Sequence, residues 1–198
     1  MAAVAQLYNT LPTLGDADEK FVNREGVFKV VATLLAEYGH VFGLCLVHAH
    51  CKLAEGEIMI EKNNISQPEE LENAGAYYPD RWLASGEPYE FTVCQTQAPP
   101  KTLVDQFHQL TKEAKLEDVL GLYYVDGPIE DPAIIEWTDG RKNLTRTMKE
   151  EDKAADPVQT AWNFARGDPV TMACTKWCDT RTTRSGENNV HKGTQSHG

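Results

Sequence analysis

Residues 41–52 read VFGLCLVHAHCK, and this stretch decides how the rest of the chain is interpreted. Its first half is apolar on both faces, which is typical of a strand buried inside a sheet. Residues 57–62, EIMIEK, mix charged and apolar side chains and predict a second, partly exposed strand. The sequence at this point therefore predicts two neighbouring strands joined by a short turn.

The flanking sequence predicts two main helices. Asn23 is a suitable N-cap for a helix that ends near residue 38, and its apolar side chains recur at the spacing of one buried helix face. A second stripe of the same kind predicts a helix over residues 101–115. Ser66 and Glu69 have the spacing of a capping box, so a short additional helix is expected over residues 66–75.

Further strands are predicted by alternating or apolar segments at residues 89–95, 120–125, 134–137, 143–148, 158–165 and 170–174. Asp139 and Gly140 separate two of these segments and form a strong two-residue hairpin signal. The pattern lacks the alternating strand–helix rhythm of a doubly wound sheet. We therefore expect an α+β fold, a largely antiparallel sheet of about eight strands with the two main helices packed on it.

Composition limits the classes of protein to consider. The chain has 198 residues and a net charge of −11. The length predicts one globular domain, placed at residues 1–178, and the almost purely polar residues 179–198 predict a flexible tail. The acidic balance argues against binding nucleic acid through phosphates and against docking on anionic lipid. No secretory leader or membrane span is evident, and the odd count of five cysteines favours reduced thiols, so a soluble, cytoplasmic protein is expected.

The segment that carries chemistry begins at His48. His48 and His50 are two residues apart, so they project from one face of the predicted strand. The register that keeps polar and apolar faces separate places Glu61 of the next strand opposite His48. Two histidines and one carboxylate with open positions hold non-haem Fe(II), and similar sets hold Zn(II) or Mn(II). The sequence therefore predicts one divalent metal ion bound by His48, His50 and Glu61.

Other interpretations of these residues stay open. Two histidines on an exposed strand face are often simply solvated. Near the C-terminus a zinc-finger spacing occurs, but its central interval lacks the aromatic and leucine side chains on which such a finger folds. We interpret that spacing as coincidence and leave open whether its members contribute to a site; they are Cys174, Cys178, His191 and His197. No GxGxxG, phosphate-loop or GxSxG motif occurs, so no nucleotide cofactor is indicated.

Two hypotheses of different classes follow. The first is a small metal-dependent enzyme acting on a small organic molecule. Its pocket would be walled by an aromatic segment, with Arg81 available for an anionic group of the substrate; the predicted pocket residues are Tyr77, Tyr78, Arg81 and Trp82. The second is a non-catalytic acidic module that binds a protein partner or a small molecule. Both leave the reaction type, the substrate and the oligomeric state open.

Overall fold

The computed structural model describes residues 2–38, 41–125, 132–165 and 171–179, and the strands within these ranges close into a ten-stranded barrel. Eight of the strands overlap segments that the sequence predicts as strands. The ten are β1 (Phe42–Leu46), β2 (Glu57–Lys62), β3 (Ile65–Glu70), β4 (Tyr78–Leu83), β5 (Pro88–Thr92), β6 (Leu120–Tyr124), β7 (Ile134–Asp139), β8 (Lys142–Thr147), β9 (Val158–Ala165) and β10 (Thr171–Cys178).

The order of the strands around the barrel is β1-β6-β4-β5-β2-β3-β8-β7-β10-β9, and β9 pairs with β1 to close it. Most neighbours are antiparallel, but β2 pairs with β5 and β7 with β10 in parallel. The predicted α+β fold, a largely antiparallel sheet of about eight strands with the two main helices packed on it, is therefore wrong, because ten strands of mixed direction close into a barrel. Closure depends on pairs such as Leu44 opposite Trp162, which no local pattern in the sequence specifies.

The two extra strands explain part of this error. Residues 66–75, predicted as a short helix, begin instead with β3, where Glu61 lies opposite Ser66 and Met59 opposite Pro68. Pairing with a neighbouring strand outweighed the local capping signal of Ser66 and Glu69. The aromatic segment that follows forms β4, which pairs with β5 and β6.

The helices lie at the N-terminus and between β5 and β6. The two predicted helices are confirmed, and the side chain of Asn23 accepts a hydrogen bond from the backbone N–H of Gly26 as the predicted N-cap. Two short N-terminal helices were not predicted, because their segments are too short for a clear helical period. The helices are α1 (Ala2–Asn9), α2 (Leu14–Lys20), α3 (Arg24–Glu37) and α4 (Lys101–Glu113), with a 3-10 helix at Glu150–Ala155.

The helices cover an apolar face of the barrel. Leu44 and Leu46 of β1 pack with Leu35 of α3, Phe107 of α4 and Trp162 of β9. We call this group the outer apolar cluster. Each of its five side chains is fully buried, so it removes a large apolar area from water and is the main stabilising contact of the fold.

The opposite face of β1 points into the barrel and carries small residues. A Cβ atom on Gly43 would lie 2.3 Å from the ring of Tyr123, so glycine makes room for this ring. The hydroxyl of Tyr123 donates a hydrogen bond to Asn163 and lies 2.9 Å from Oγ1 of Thr175. The barrel interior is therefore lined by polar groups at this level.

Among the residues that the structure describes, no helix is both long and apolar enough to cross a membrane. The predicted flexible tail at residues 179–198 lies outside the described residues, apart from Asp179. The tail and the predicted domain limits therefore stay predictions.

Candidate metal centre

His48 and His50 lie in the segment that follows β1, and both side chains are buried in the barrel. The segment is not a strand, because β1 ends at Leu46. The predicted register, with Glu61 opposite His48, is wrong: β2 is flanked by β3 and β5, where Glu61 faces Ser66 and Thr92. The two histidines do share one site, with ring centres 4.7 Å apart.

The carboxylate that meets the histidines is that of Glu136 on β7. One possible ligand atom from each of His48, His50 and Glu136 lies within 4.8 Å of the other two, and all three residues are buried. We call these three residues the His–Glu cluster. Nε2 of His48 is 3.8 Å from Oε1 of Glu136. Ligands of a tetrahedral zinc ion are about 3.4 Å apart, so small side-chain shifts would bring the cluster to bonding geometry.

Glu136 was missed because its contact with the histidines is a long-range one. The Asp139-Gly140 signal does predict the hairpin of β7 and β8, in which Asp139 lies opposite Lys142. Within that hairpin, Glu136 is a charged residue between Ile135 and Trp137. An acidic residue between two large apolar side chains was the available signal, but nothing local pairs it with residue 48.

The carboxylate of Glu136 is held in place by neighbouring strands. Nδ2 of Asn143 donates a hydrogen bond to Oε2 at 3.1 Å, and the hydroxyl of Thr160 donates to Oε1 at 3.4 Å. Nζ of Lys176 lies 3.6 Å from Oε2. Burial alone would raise the pKa of Glu136, but the charges of Lys176, His50 and Arg81 outweigh it and hold this pKa well below its ordinary value. Glu136 is therefore ionised at neutral pH.

The ring of His48 is fixed by a backbone carbonyl. Its Nδ1 lies 2.9 Å from the carbonyl oxygen of Leu46, which can only accept, so Nδ1 carries the proton. Burial lowers the pKa of His48 against the opposing effect of Glu136, so the imidazole is neutral at pH 7. The lone pair of the neutral ring is then on Nε2, the nitrogen nearest to the Glu136 carboxylate.

His50 connects the cluster to a second buried ion pair. Its backbone N–H donates to the hydroxyl of Tyr8 at 3.1 Å, and its Nε2 lies 3.6 Å from Oε1 of Glu90. Oε2 of Glu90 lies 3.1 Å from Nε of Arg81. Burial raises the pKa of Glu90 to about 7, although the charge of Arg81 opposes this. Glu90 therefore changes its charge near neutral pH, within reach of His50.

The four predicted pocket residues do not form one wall. Arg81 points into the barrel, whereas Trp82 packs on the outside, in the same hydrophobic core as the outer apolar cluster, with its ring centre 6.2 Å from that of Phe42. Tyr77 packs edge-on against Phe91, with 5.4 Å between the two ring centres, and is not part of the His–Glu cluster. Tyr78 is half-buried on β4, opposite Thr92. Of the four, Arg81 alone joins the interior network.

Of the four finger-spaced residues, Cys174 and Cys178 lie on β10, and His191 and His197 lie outside the described residues. Cys178 is buried beside Glu136. Burial, reinforced by the negative charge of Glu136, raises the pKa of its thiol well above the ordinary value. The thiol of Cys178 is therefore protonated, which disfavours it as a metal ligand in this geometry.

A cleft of about 340 Å³ opens beside the His–Glu cluster. Arg81 and Lys176 line it together with Tyr123, Asn163 and Thr175. Lys176 contacts Glu136 directly, and Arg81 reaches His50 through Glu90. The cleft therefore gives a small molecule a route to within one or two side chains of the cluster.

No protein family model, curated protein sequence or solved structure shows a significant match to this chain. The fold and the buried His–Glu cluster are thus the whole basis for inferring a function.

Proposed function

We propose that this protein is a metal-dependent enzyme that acts on a small organic molecule, with the metal held by His48, His50 and Glu136. The observation that carries the proposal is the orientation of His48. The Leu46 carbonyl fixes the proton on Nδ1, so Nε2 presents a lone pair to an ionised carboxylate at 3.8 Å. Two electron-rich groups that face each other in a dry interior are best reconciled by a cation between them.

The groups around the cluster support the same interpretation. A histidine that ligates a metal usually donates its other ring N–H to a carbonyl or carboxylate, as His48 does to Leu46. Ligating carboxylates are usually hydrogen-bonded too, and Glu136 accepts from Asn143 and Thr160. These contacts set the positions of two ligands before any metal arrives, which reduces the cost of binding it.

The donor set favours Fe(II), Zn(II) or Mn(II). Two imidazoles and one carboxylate suit these ions and leave coordination positions for water or substrate. Such an ion would supply Lewis-acid activation of a bound water or substrate oxygen, or redox chemistry in the case of iron. The chain's own residues hold and orient the ligands, and the barrel wall limits access of bulk water.

Metal content of matched variants tests the proposal. Protein expressed with supplemented Fe, Zn and Mn should contain about one metal ion per chain by elemental analysis. His48→Gln and Glu136→Gln should each lower the metal affinity at least about tenfold, because each removes a side chain that would bind the metal directly. Glu61→Gln is the matched control, since Glu61 was the predicted ligand and lies away from the cluster.

Retention of metal by Glu136→Gln, or its loss in Glu61→Gln, would contradict the proposed ligand set. Circular dichroism of each variant separates loss of a ligand from loss of folding. A folded wild-type protein without metal after supplemented expression would contradict the proposal itself.

The second candidate is a non-catalytic module that binds a small molecule without metal. One observation favours it: Glu136 already faces Lys176 at 3.6 Å, and Glu90 faces Arg81 at 3.1 Å. These pairs partly compensate the buried charges without an added ion. Ligand binding to metal-free wild-type protein, with no change on adding metal, would favour this candidate.

A further inference from the structure

The cleft beside the His–Glu cluster contains two basic side chains at its inner end. Arg81 is buried, with 5% of its side chain exposed, and Lys176 is nearly so at 14%. Both line the cleft, whose volume of about 340 Å³ lies within the roughly 300–1,000 Å³ typical of small-molecule sites. Buried cations at the inner end of a small-molecule cleft favour an anionic ligand.

The donors of Arg81 are only partly used by the protein. Its ion pairs with Glu90 and Asp80 both have Nε as the nearest nitrogen, at 3.1 and 3.8 Å. In the part of the chain that the structure describes, the buried Nε has no hydrogen-bond partner, so Glu90 and Asp80 leave donors of this guanidinium available. A guanidinium presents paired donors that bind a carboxylate in bidentate fashion.

Other lining residues of the cleft are apolar. They include Val125, Pro132 and Ile134. Glu61 and Asp80 also line the cleft, and both are more exposed to solvent than Arg81. Their negative charges disfavour a polyanion that would fill the opening, whereas a single anionic group can pass them to reach the basic residues.

We propose that the cleft binds a small organic carboxylate, with its carboxylate on Arg81 and Lys176 and its apolar body against Val125 and Ile134. This inference deepens the proposed function by naming its substrate class, and it rests on that function only in treating the bound carboxylate as a reactant. A divalent ion in the His–Glu cluster would add positive charge beside Lys176, so metal should strengthen carboxylate binding.

Titration calorimetry with three probes tests the site. Benzoate carries a carboxylate on an apolar ring, and benzamide is its neutral counterpart. Inorganic phosphate is an anion without an apolar group. We expect benzoate to bind wild-type protein at least about tenfold more tightly than benzamide or phosphate. Only benzoate has both a carboxylate for the basic residues and an apolar ring for the apolar lining residues. Equal binding of benzamide, or tighter binding of phosphate, would overturn the proposal.

Variants then assign the binding to these residues. Lys176→Met and Arg81→Lys should each weaken benzoate binding about tenfold or more; Arg81→Lys keeps the charge and removes the paired donors. Ile134→Ala should weaken benzoate binding and leave phosphate binding unchanged. Lys112→Met, which removes an exposed lysine on α4, is the matched control and should change nothing. Unaltered benzoate binding in folded Lys176→Met and Ile134→Ala proteins would overturn the assignment.

The same titrations on metal-free and metal-supplemented protein separate the two proposals. Benzoate binding that depends on Lys176 in a protein unable to take up metal supports the carboxylate site and contradicts the metal centre. Stoichiometric metal without benzoate binding supports the metal centre and overturns the carboxylate site.

Discussion

The two faces of β1 border regions with opposite chemistry. On the outside, Leu44 and Leu46 belong to the outer apolar cluster, which contains fully buried aromatic and aliphatic side chains. The segment that continues β1 into the barrel carries His48 and His50, beside buried Glu136. A single residue, Val47, thus separates Leu46 of the hydrophobic core from His48 of a group of buried ionisable residues.

The outer apolar cluster and the buried ionisable residues inside the barrel differ in how much they stabilise the fold. Apolar burial stabilises the folded state by about 25 cal/mol per Å² removed from water. Buried charges, even when paired, recover their desolvation cost only with excellent geometry. The distances of 3.6 and 3.8 Å at Glu136 exceed good hydrogen-bond lengths. The interior network therefore adds less to the stability of the fold than the outer apolar cluster does.

The largest expected effect lies in the outer apolar cluster. Trp162→Ala should lower the free energy of unfolding by about 3–5 kcal/mol, because the indole is fully buried and its loss leaves a cavity. Urea denaturation followed by circular dichroism measures it. A loss below about 1 kcal/mol would mean that this cluster does not hold the barrel and helices together.

The interior should respond differently to removal of one partner and of both. Arg81→Met alone should cost about 3–5 kcal/mol, because it leaves Glu90 buried without its partner at 3.1 Å. The double variant Arg81→Met/Glu90→Leu should recover much of that loss, since no unpaired charge remains. Urea denaturation of both proteins decides the matter. A double variant no more stable than the single one would show that the ion pair is itself a stabilising element.

A smaller effect should appear in the pH dependence of stability. The pKa of Glu90 rises to about 7 in the folded protein, so the folded state binds more protons than the unfolded state above the ordinary pKa of this side chain. Stability from Glu90 is thus fully present at low pH and is lost as pH rises towards 7, by about 3 kcal/mol in all.

Subtracting a variant isolates this contribution of Glu90. His48 acts in the opposite direction, because its lowered pKa makes stability rise with pH towards its ordinary value of 6.5. The difference in unfolding free energy between wild type and Glu90→Gln should therefore fall between pH 5 and 7.5. A difference that stays constant over this range would mean that Glu90 has an ordinary pKa.

The smallest effect should be at Val30 of α3, which lies at the solvent-exposed part of this helix. Its side chain is 51% exposed, so Val30→Ala should change stability by no more than about 0.5 kcal/mol. Leu34, one turn later on the same helix, is buried, and Leu34→Ala should cost about 2–5 kcal/mol. Equal thermal shifts of the two variants would contradict this difference in burial between Val30 and Leu34.

The same contrast separates what the sequence predicts from what it does not. The helix capped by Asn23 and the hairpin at Asp139-Gly140 depend on residues close in the chain, and both are confirmed. Barrel closure depends on the pairing of β1 with β9. Residues 66–70 belong to strand β3, and not to the predicted helix, because β3 pairs with β2 on one side and β8 on the other. Local patterns cannot specify such partners, since any strand of suitable period could fill the position.

The candidate site divides along the same line. His48 and His50 share a site as their spacing predicts, although they lie beyond the end of β1 and not on a strand. The third predicted ligand, Glu61, depended on an assumed hairpin between neighbours in sequence. The structure brings Glu136 there from a strand nearly ninety residues further along the chain, so only three-dimensional contact could identify it.

The position of β1 between β6 and β9 also has a consequence for synthesis on the ribosome. The N-terminal half of the chain emerges first, with the edge of β1 that will meet β9 still unpaired and its backbone groups open to other strands. Barrel closure must wait for residues 158–165, and long-range strand pairing of this kind is slow. Nascent chains that end before residue 158 should remain sensitive to limited proteolysis and prone to aggregation. The His–Glu cluster should likewise form only late in translation, once the barrel can close.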